Sequence, residues 1–194
     1  MSRSADISRV TGETDVRLFL ELDGNGAGER ETGVGFFDHM LDAVARHGGF
    51  DLDVRVSGDL ETGPHHTVED TGLAFGAALD EALGDRSGIE RFGHAVVPMD
   101  EARAGATIDL SGRPFCAFEA EVPHVRIGDF DADLAEEFFR AVANTAKLTL
   151  HLRLDAGINT HHIVEVLFKA FARALRAAVA ETGSEGVPST KGVL

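Results

Sequence analysis

Two hydrophobic periods take turns along this chain. Asp15-Val16-Arg17-Leu18-Phe19-Leu20-Glu21-Leu22 reads as a strand that ends at the turn Asp23-Gly24-Asn25-Gly26. Phe50 to Val56 alternates Phe-Asp-Leu-Asp-Val-Arg-Val, the period-two pattern of a strand with one wet face. Between them, Phe37 to Arg46 carries apolar residues at helical spacing and stops near Gly48-Gly49, where glycine suits the end of a helix. Farther on, Val164, Leu167, Phe168, Phe171, Leu175 and Val179 recur every three or four residues, the stripe of an amphipathic helix, and read as core.

This order occurs twice. Phe36-Phe37-Asp38-His39 superimposes on Leu134-Ala135-Glu136-Glu137, Ala43-Val44-Ala45 on Ala141-Val142-Ala143, Leu52 on Leu150 and Arg55 on Arg153. After a two-residue difference in loop length, His65-His66-Thr67-Val68-Glu69 falls on His161-His162-Ile163-Val164-Glu165, and Ala74-Phe75 on Ala170-Phe171. Upstream, Glu13 matches Glu101, each ahead of a strand. The chain is an internal duplication. Each half reads strand, strand, helix, strand, helix, so the expected fold is α+β: duplicated half-domains, residues 1–90 and 91–194, each a mixed β-sheet with helices packed on one face.

Charge and composition narrow the function. The net charge is −15 over 194 residues, and no basic stripe accompanies it, which argues against nucleic acid as a partner. Lysine is confined to Lys147, Lys169 and Lys191, a surface that suits either a salt-rich cytoplasm or a GC-rich genome. The single cysteine, Cys116, permits no intramolecular disulfide and reads as a structural thiol in a reducing compartment. No apolar run reaches the roughly 18 residues of a membrane helix, and Met1 to Asp6 lack the apolar core of a secretory signal. A cytoplasmic location is expected.

The chemistry lies in the repeated HHxxE. Histidine at i and glutamate at i+4 share a helical face, whereas adjacent histidines diverge by roughly 100°. His65 and His66 therefore serve different ions, and two copies of such a helix can build two sites of mixed parentage. Imidazole nitrogen with carboxylate oxygen suits manganese, iron or zinc. His39, at the start of its helix, is a further ligand candidate, as is its repeat counterpart Glu137. His47, His94, His124 and His151 lack such a context and read as non-ligands. A metallohydrolase or a metal-storage particle would also use such ligands. The residue order differs from HExxH and HxxEH, however, and storage leaves Ser111-Gly112-Arg113-Pro114 and Pro188-Ser189-Thr190-Lys191-Gly192 without a purpose.

Taken with Gly33-Val34-Gly35-Phe36-Phe37-Asp38-His39-Met40-Leu41, His65-His66-Thr67-Val68-Glu69-Asp70-Thr71, Arg91-Phe92-Gly93 and Asn159-Thr160-His161-His162, those two segments resemble the imidazoleglycerol-phosphate dehydratase family from about Glu13 to the end of the chain. The chain departs from the family pattern at Glu61-Thr62-Gly63-Pro64 ahead of the first histidine pair, at Glu137 where some members have histidine, and at Val166 where a small residue is usual.

The resemblance implies removal of water from D-erythro-imidazole-glycerol phosphate to give imidazole-acetol phosphate in histidine biosynthesis. It implies two manganese ions per active site, with ligands among His39, His65, His66, Glu69, Glu137, His161, His162 and Glu165. It implies a 24-subunit particle made from trimers, with active sites between subunits. The proton lost lies beside an imidazole rather than a carbonyl and is barely acidic, so a metal on the ring would make it an electron sink. Glu13, Glu69 and Glu165 are the candidate proton-transfer groups. Arg91, Arg113 and Lys191, with the hydroxyls of Ser189 and Thr190, resemble the family's phosphate contacts. The tail that carries Ser189, Thr190 and Lys191 follows the loose stretch Thr182 to Gly186 and is expected to order over bound substrate.

Overall fold

The computed structural model describes residues 3–192 and Leu194; the remainder of the N-terminal stretch read above, Met1 and Ser2, lies outside the described residues, as does Val193. In the first half, β1 (Ser4–Val10), β2 (Thr14–Glu21), β3 (Arg30–Glu31) and β4 (Asp51–Gly58) form one sheet in the order β1-β2-β4-β3, antiparallel except where β3 joins β4. Its helices are α1 (Gly35–Gly48) and α2 (His65–Leu83). In the second half, β5 (Phe92–Met99), β6 (Ala102–Asp109), β7 (Phe115–Glu119) and β10 (Thr149–Ala156) repeat that topology as β5-β6-β10-β7, again with one parallel edge strand. A small hairpin of β8 (Arg126–Ile127) and β9 (Phe130–Asp131) precedes α3 (Leu134–Thr145), and α4 (Thr160–Val179) closes the half. The duplicated α+β architecture expected from the repeat is present. The opening strand β1 had no assigned position in the sequence reading.

Local chemistry sets the helix boundaries. Gly49 closes α1 at φ 71°, a left-handed conformation in which glycine avoids the Cβ penalty. The Asn159 side chain accepts the backbone N–H of His161 at 3.0 Å and so caps α4. Pro64 stands just ahead of α2, where its missing N–H costs nothing, and its carbonyl accepts the Val68 N–H. The family departure at that position is thus accommodated by the helix start itself.

The halves exchange helices. α1 packs against α4 of the other half, and α3 packs along α2. The second contact is close because Gly72 and Gly76 of α2 present no side chain. A Cβ on Gly76 would lie 2.6 Å from the Val142 carbonyl oxygen and 2.9 Å from the Ala146 nitrogen. Phenylalanines from all four helices meet at the centre: Phe37 against Phe138 at 5.5 Å, Phe75 against Phe171 at 6.3 Å, and Phe139 against Phe168 at 4.6 Å between ring centroids. Edge-on and tilted rings at these separations add about 0.5–1.5 kcal/mol per pair to the burial of the rings themselves. Val166, the third departure from the family pattern, is fully buried in α4 and belongs to this core, which is continuous across both halves.

Candidate metal centre

His39 reaches the site from α1 and His161 and Glu165 from α4, so the exchange of helices brings the two halves' ligands together. His161 Nε2 lies 3.0 Å and His39 Nε2 3.4 Å from the same oxygen, Glu165 Oε2. One ligand atom from each of these three residues falls within 4.8 Å of the others, close enough for the three to hold a single divalent ion. The Phe36 ring packs edge-on to His161 at 5.0 Å and walls one side. Two nitrogens and one carboxylate oxygen fit a borderline divalent cation and leave part of its coordination shell to be filled from elsewhere.

Glu165 is buried, and burial alone would raise its pKa. Lys169 overrides this: its Nζ donates to Glu165 Oε1 at 2.6 Å, and with the charge of Lys169 and the facing His39 and His161 it holds the carboxyl below the usual range. Lys169 is a site residue the sequence reading passed over, although its i+4 spacing from Glu165 was a visible signal.

Adjacent histidines reach different partners, His161 meeting Glu165 and His162 meeting Glu101. The rings of His161 and His162 cross at 87°, and those of His65 and His66 at 88°. His162 turns to the β5–β6 turn, where its Nδ1 donates to Glu101 Oε2 at 2.8 Å. Glu101 also accepts the backbone N–H groups of Asn159 and Ile158, and these contacts lower its pKa to about 2. The hydrogen bond to Glu101 raises the pKa of His162, and the one to Asp59 raises that of His66.

The first HHxxE is more open. His65 Nε2 lies 3.8 Å from Glu69 Oε2, both half-exposed, beside a cleft of about 420 Å³ lined by Pro64, His65, His124, Arg126 and Asp131. Glu137 sits on α3 where the repeat places the counterpart of His39, but among the described residues it does not join His65 and Glu69 in a ligand cluster. Glu13, on the β1–β2 turn, approaches His66 Nε2 at 3.7 Å. Among the described residues, His66 and His162 are not members of the His39–His161–Glu165 group. His94 and His151 stand on the outer face of the second sheet, His47 near Lys169 and Arg173, and His124 beside Asp133.

The candidate phosphate contacts gather at the far end of the molecule. Arg91 makes a two-point ion pair with Asp109 (2.7 and 3.2 Å), and its Nη1 donates to the Pro188 carbonyl at 2.9 Å, which brings the Ser189-Thr190-Lys191 tail to it. The stretch from Thr182 to Gly186 is not loose: Thr182 donates to the Gly88 carbonyl and Gly88 donates to that of Gly186. Arg113 Nη1 donates to the Ser111 carbonyl on the turn whose Gly112 meets Leu194. The Arg91 N–H donates to the Ala178 carbonyl in the last turn of α4, whereas His161 is in its first turn. A rise of about 1.5 Å per residue puts these ends roughly 26 Å apart.

Comparison with known proteins agrees with this arrangement. Residues 32–175 match the family model described as imidazoleglycerol-phosphate dehydratase. The enzyme of that name from Gluconobacter oxydans is 53% identical over 195 residues, covering 100% of this chain and 98% of that protein. The one from Halorhodospira halophila is 55% identical, covering 99% and 98%. Among solved structures, imidazoleglycerol-phosphate dehydratase from Staphylococcus aureus superimposes with a TM-score of 0.84 at 38% identity, over 92% of this chain and 99% of that one. A second, described as IGPD from Pyrococcus furiosus in complex with (S)-C348, gives 0.85 at 38% identity, over 97% and 100%. By sequence over nearly its whole length and by fold, the chain belongs to the imidazoleglycerol-phosphate dehydratase family of hydro-lyases.

Proposed function

We propose that this dehydratase acts in histidine biosynthesis, converts D-erythro-imidazole-glycerol phosphate to imidazole-acetol phosphate, and depends on two manganese ions per active site. We further propose that each site is shared between subunits of a homo-24-mer built from trimers. The observation that carries the shared site is the separation within one chain. Both HHxxE segments open their helices, while Arg91, Arg113 and the tail lie at the opposite end of α4, roughly 26 Å from His161 by helical rise. A glycerol phosphate bearing one imidazole ring cannot bridge that distance. This separation supports a site in which one subunit's ligands and another's cations meet over the same substrate.

His39, His161 and Glu165 would hold one ion, and His65 and Glu69 belong to the other, with His66, His162 and Glu137 completing the shells. When bound, manganese supplies Lewis acidity that makes the substrate's imidazole ring a better electron sink. Proton transfer falls to Glu13. Glu165 has one oxygen committed to Lys169 and the other shared by two imidazoles, whereas Glu13 is an exposed carboxylate beside His66. Arg113 offers paired N–H donors to the phosphate and Lys191 a point charge, while Arg91, its N–H groups engaged by Asp109 and the Pro188 carbonyl, contributes positive charge beside them.

The test is dehydration of imidazole-glycerol phosphate by chelator-stripped protein before and after manganese is returned, with particle mass followed by light scattering. Activity should vanish and return, from a particle about 24 times the 20.7 kDa chain. Full activity in demetallated protein would overturn the metal reading. Full activity in a monodisperse monomer would overturn the shared site.

A further inference from the structure

In each pair, the second histidine is gripped by a carboxylate from outside its helix. His162 Nδ1 donates to Glu101 Oε2 at 2.8 Å, and Glu101 Oε1 is fixed by the N–H groups of Asn159 (2.8 Å) and Ile158 (3.2 Å). His66 Nδ1 faces the Asp59 carboxylate at 3.0 and 3.2 Å, and Asp59 is itself steadied by the Thr62 hydroxyl at 2.9 Å. An ionised carboxylate only accepts hydrogen bonds, so the nitrogen facing it carries the proton. In a neutral ring the lone pair is then on Nε2.

The two carboxylates are not repeat counterparts. Glu101 precedes β6 as Glu13 precedes β2, and Asp59 follows β4 where Gly157 follows β10. In the second half the segment after β10 carries no carboxylate of its own and instead gives Glu101 two backbone donors. In the first half Asp59 fills the Nδ1 side of His66. Glu13 is left at 3.7 Å from the opposite nitrogen, Nε2, with its side chain 55% exposed against 33% for Glu101.

We propose that Glu101 and Asp59 are positioning residues, each setting the tautomer and direction of the second histidine so that Nε2 is offered to a metal ion. In the first half Asp59 has taken over the task that Glu101 performs in the second, and this frees Glu13, the repeat counterpart of Glu101, for another use. The duplication has thereby given one ancestral glutamate position two duties. This inference rests on the histidine pairs being manganese ligands. Carboxylates behind metal-bound imidazoles typically change metal affinity or activity 10- to 100-fold when removed.

The experiment is equilibrium dialysis of the demetallated full-length protein against manganese, with free ion read by electron paramagnetic resonance. Glu101→Ala and Asp59→Ala should each weaken one ion by about 10- to 100-fold and leave the other at parental affinity. Asp59→Asn keeps a carbonyl that accepts the Nδ1 proton and should remain within a few-fold of the parent, whereas Glu101→Gln, left with one acceptor oxygen for His162 and the two backbone N–H groups, should fall between the parent and Glu101→Ala. Glu13→Ala should bind both ions as the parent does. Parental binding by Glu101→Ala, or weakening by Glu13→Ala equal to that of Asp59→Ala, overturns the proposal. So does loss of both ions in Glu101→Ala, which would report an unravelled start of α4 rather than a misdirected ring. His66→Ala and His162→Ala separate the two levels of the argument. If each loses an ion while the carboxylate variants do not, positioning alone is refuted; if neither loses one, the metal reading falls with it.

Discussion

Replacing Lys169 by methionine should make the protein less stable without metal and more strongly stabilised by it. The substitution keeps most of the apolar stem while deleting the ammonium, which lies 2.6 Å from Glu165 Oε1 and 3.7 Å from Met99 Sδ. Breaking a fully buried ion pair costs about 3–5 kcal/mol, because a charge is left without a partner. Here the Lys169 side chain is 19% exposed, and His39 and His161 still face Glu165 Oε2, so the loss should be closer to that of one charge-assisted hydrogen bond, about 1.5–3 kcal/mol. At about 2–4 °C per kcal/mol for a chain of this size, metal-free Lys169→Met should melt roughly 3–12 °C below the parent. Manganese reverses the balance. An ion beside Glu165 Oε2 is repelled by the nearby ammonium, and at an effective dielectric of about 20 a divalent charge roughly 5 Å away feels several kcal/mol of repulsion before screening. Removing the ammonium should therefore tighten manganese binding by about tenfold or more and enlarge the rise in Tm on adding it. The assay is a pair of thermal melts per variant, with and without manganese, at one protein concentration because assembly makes Tm concentration-dependent. Equal metal-free melting together with an equal manganese increment would refute the reasoning.

Gly76→Ala should destabilise the protein by about 2 kcal/mol: forcing a methyl against two backbone atoms of α3 costs about 3 kcal/mol, and the helix preference of alanine returns about 1. Gly35→Ala, whose Cβ meets nothing within 4 Å, should be neutral or slightly stabilising, and matching denaturation midpoints for the two variants would count against the close approach of α2 and α3. Burial pushes the Cys116 thiol up to about 11, so roughly one in a thousand should be ionised at pH 8. Its labelling by a disulfide reagent should then be slow, rise about tenfold per pH unit towards 11 and become fast on unfolding; rapid labelling of the folded protein at pH 8 would contradict this. Truncation after Val187 removes the segment that Arg91 holds through the Pro188 carbonyl and, with it, Lys191. Substrate binding should weaken about 10- to 150-fold, as loss of a charge-assisted phosphate contact implies, with a fall in kcat and both metal ions retained; unaltered kinetics would show the tail to be passive.

Much of this molecule was legible in the order of its residues. The strands at Asp15 to Leu22 and Phe50 to Val56, and the helix from Phe37, appear within two or three residues of their places because alternation and helical spacing are local properties. The divergence of His65 from His66 followed from the turn of a helix, and the duplication from the recurrence of HHxxE. Tertiary structure alone decided which ligands meet. The sequence marks His39 as a ligand candidate without saying which residues it joins; α1 packs on α4 of the other half, and His39 meets His161 and Glu165. Helix packing depends on where side chains are missing, and the significance of Gly72 and Gly76 shows only when α3 lies against them. The carboxylates behind His66 and His162 were hidden for the same reason: Asp59 and Glu101 lie in loops, and only the approach of loop to helix turns an exposed acid into a hydrogen-bond partner. The distance from the ligand groups to Arg91 and the tail was also invisible in the sequence, because it is set by the length of α4 and by which end of that helix Arg91 returns to.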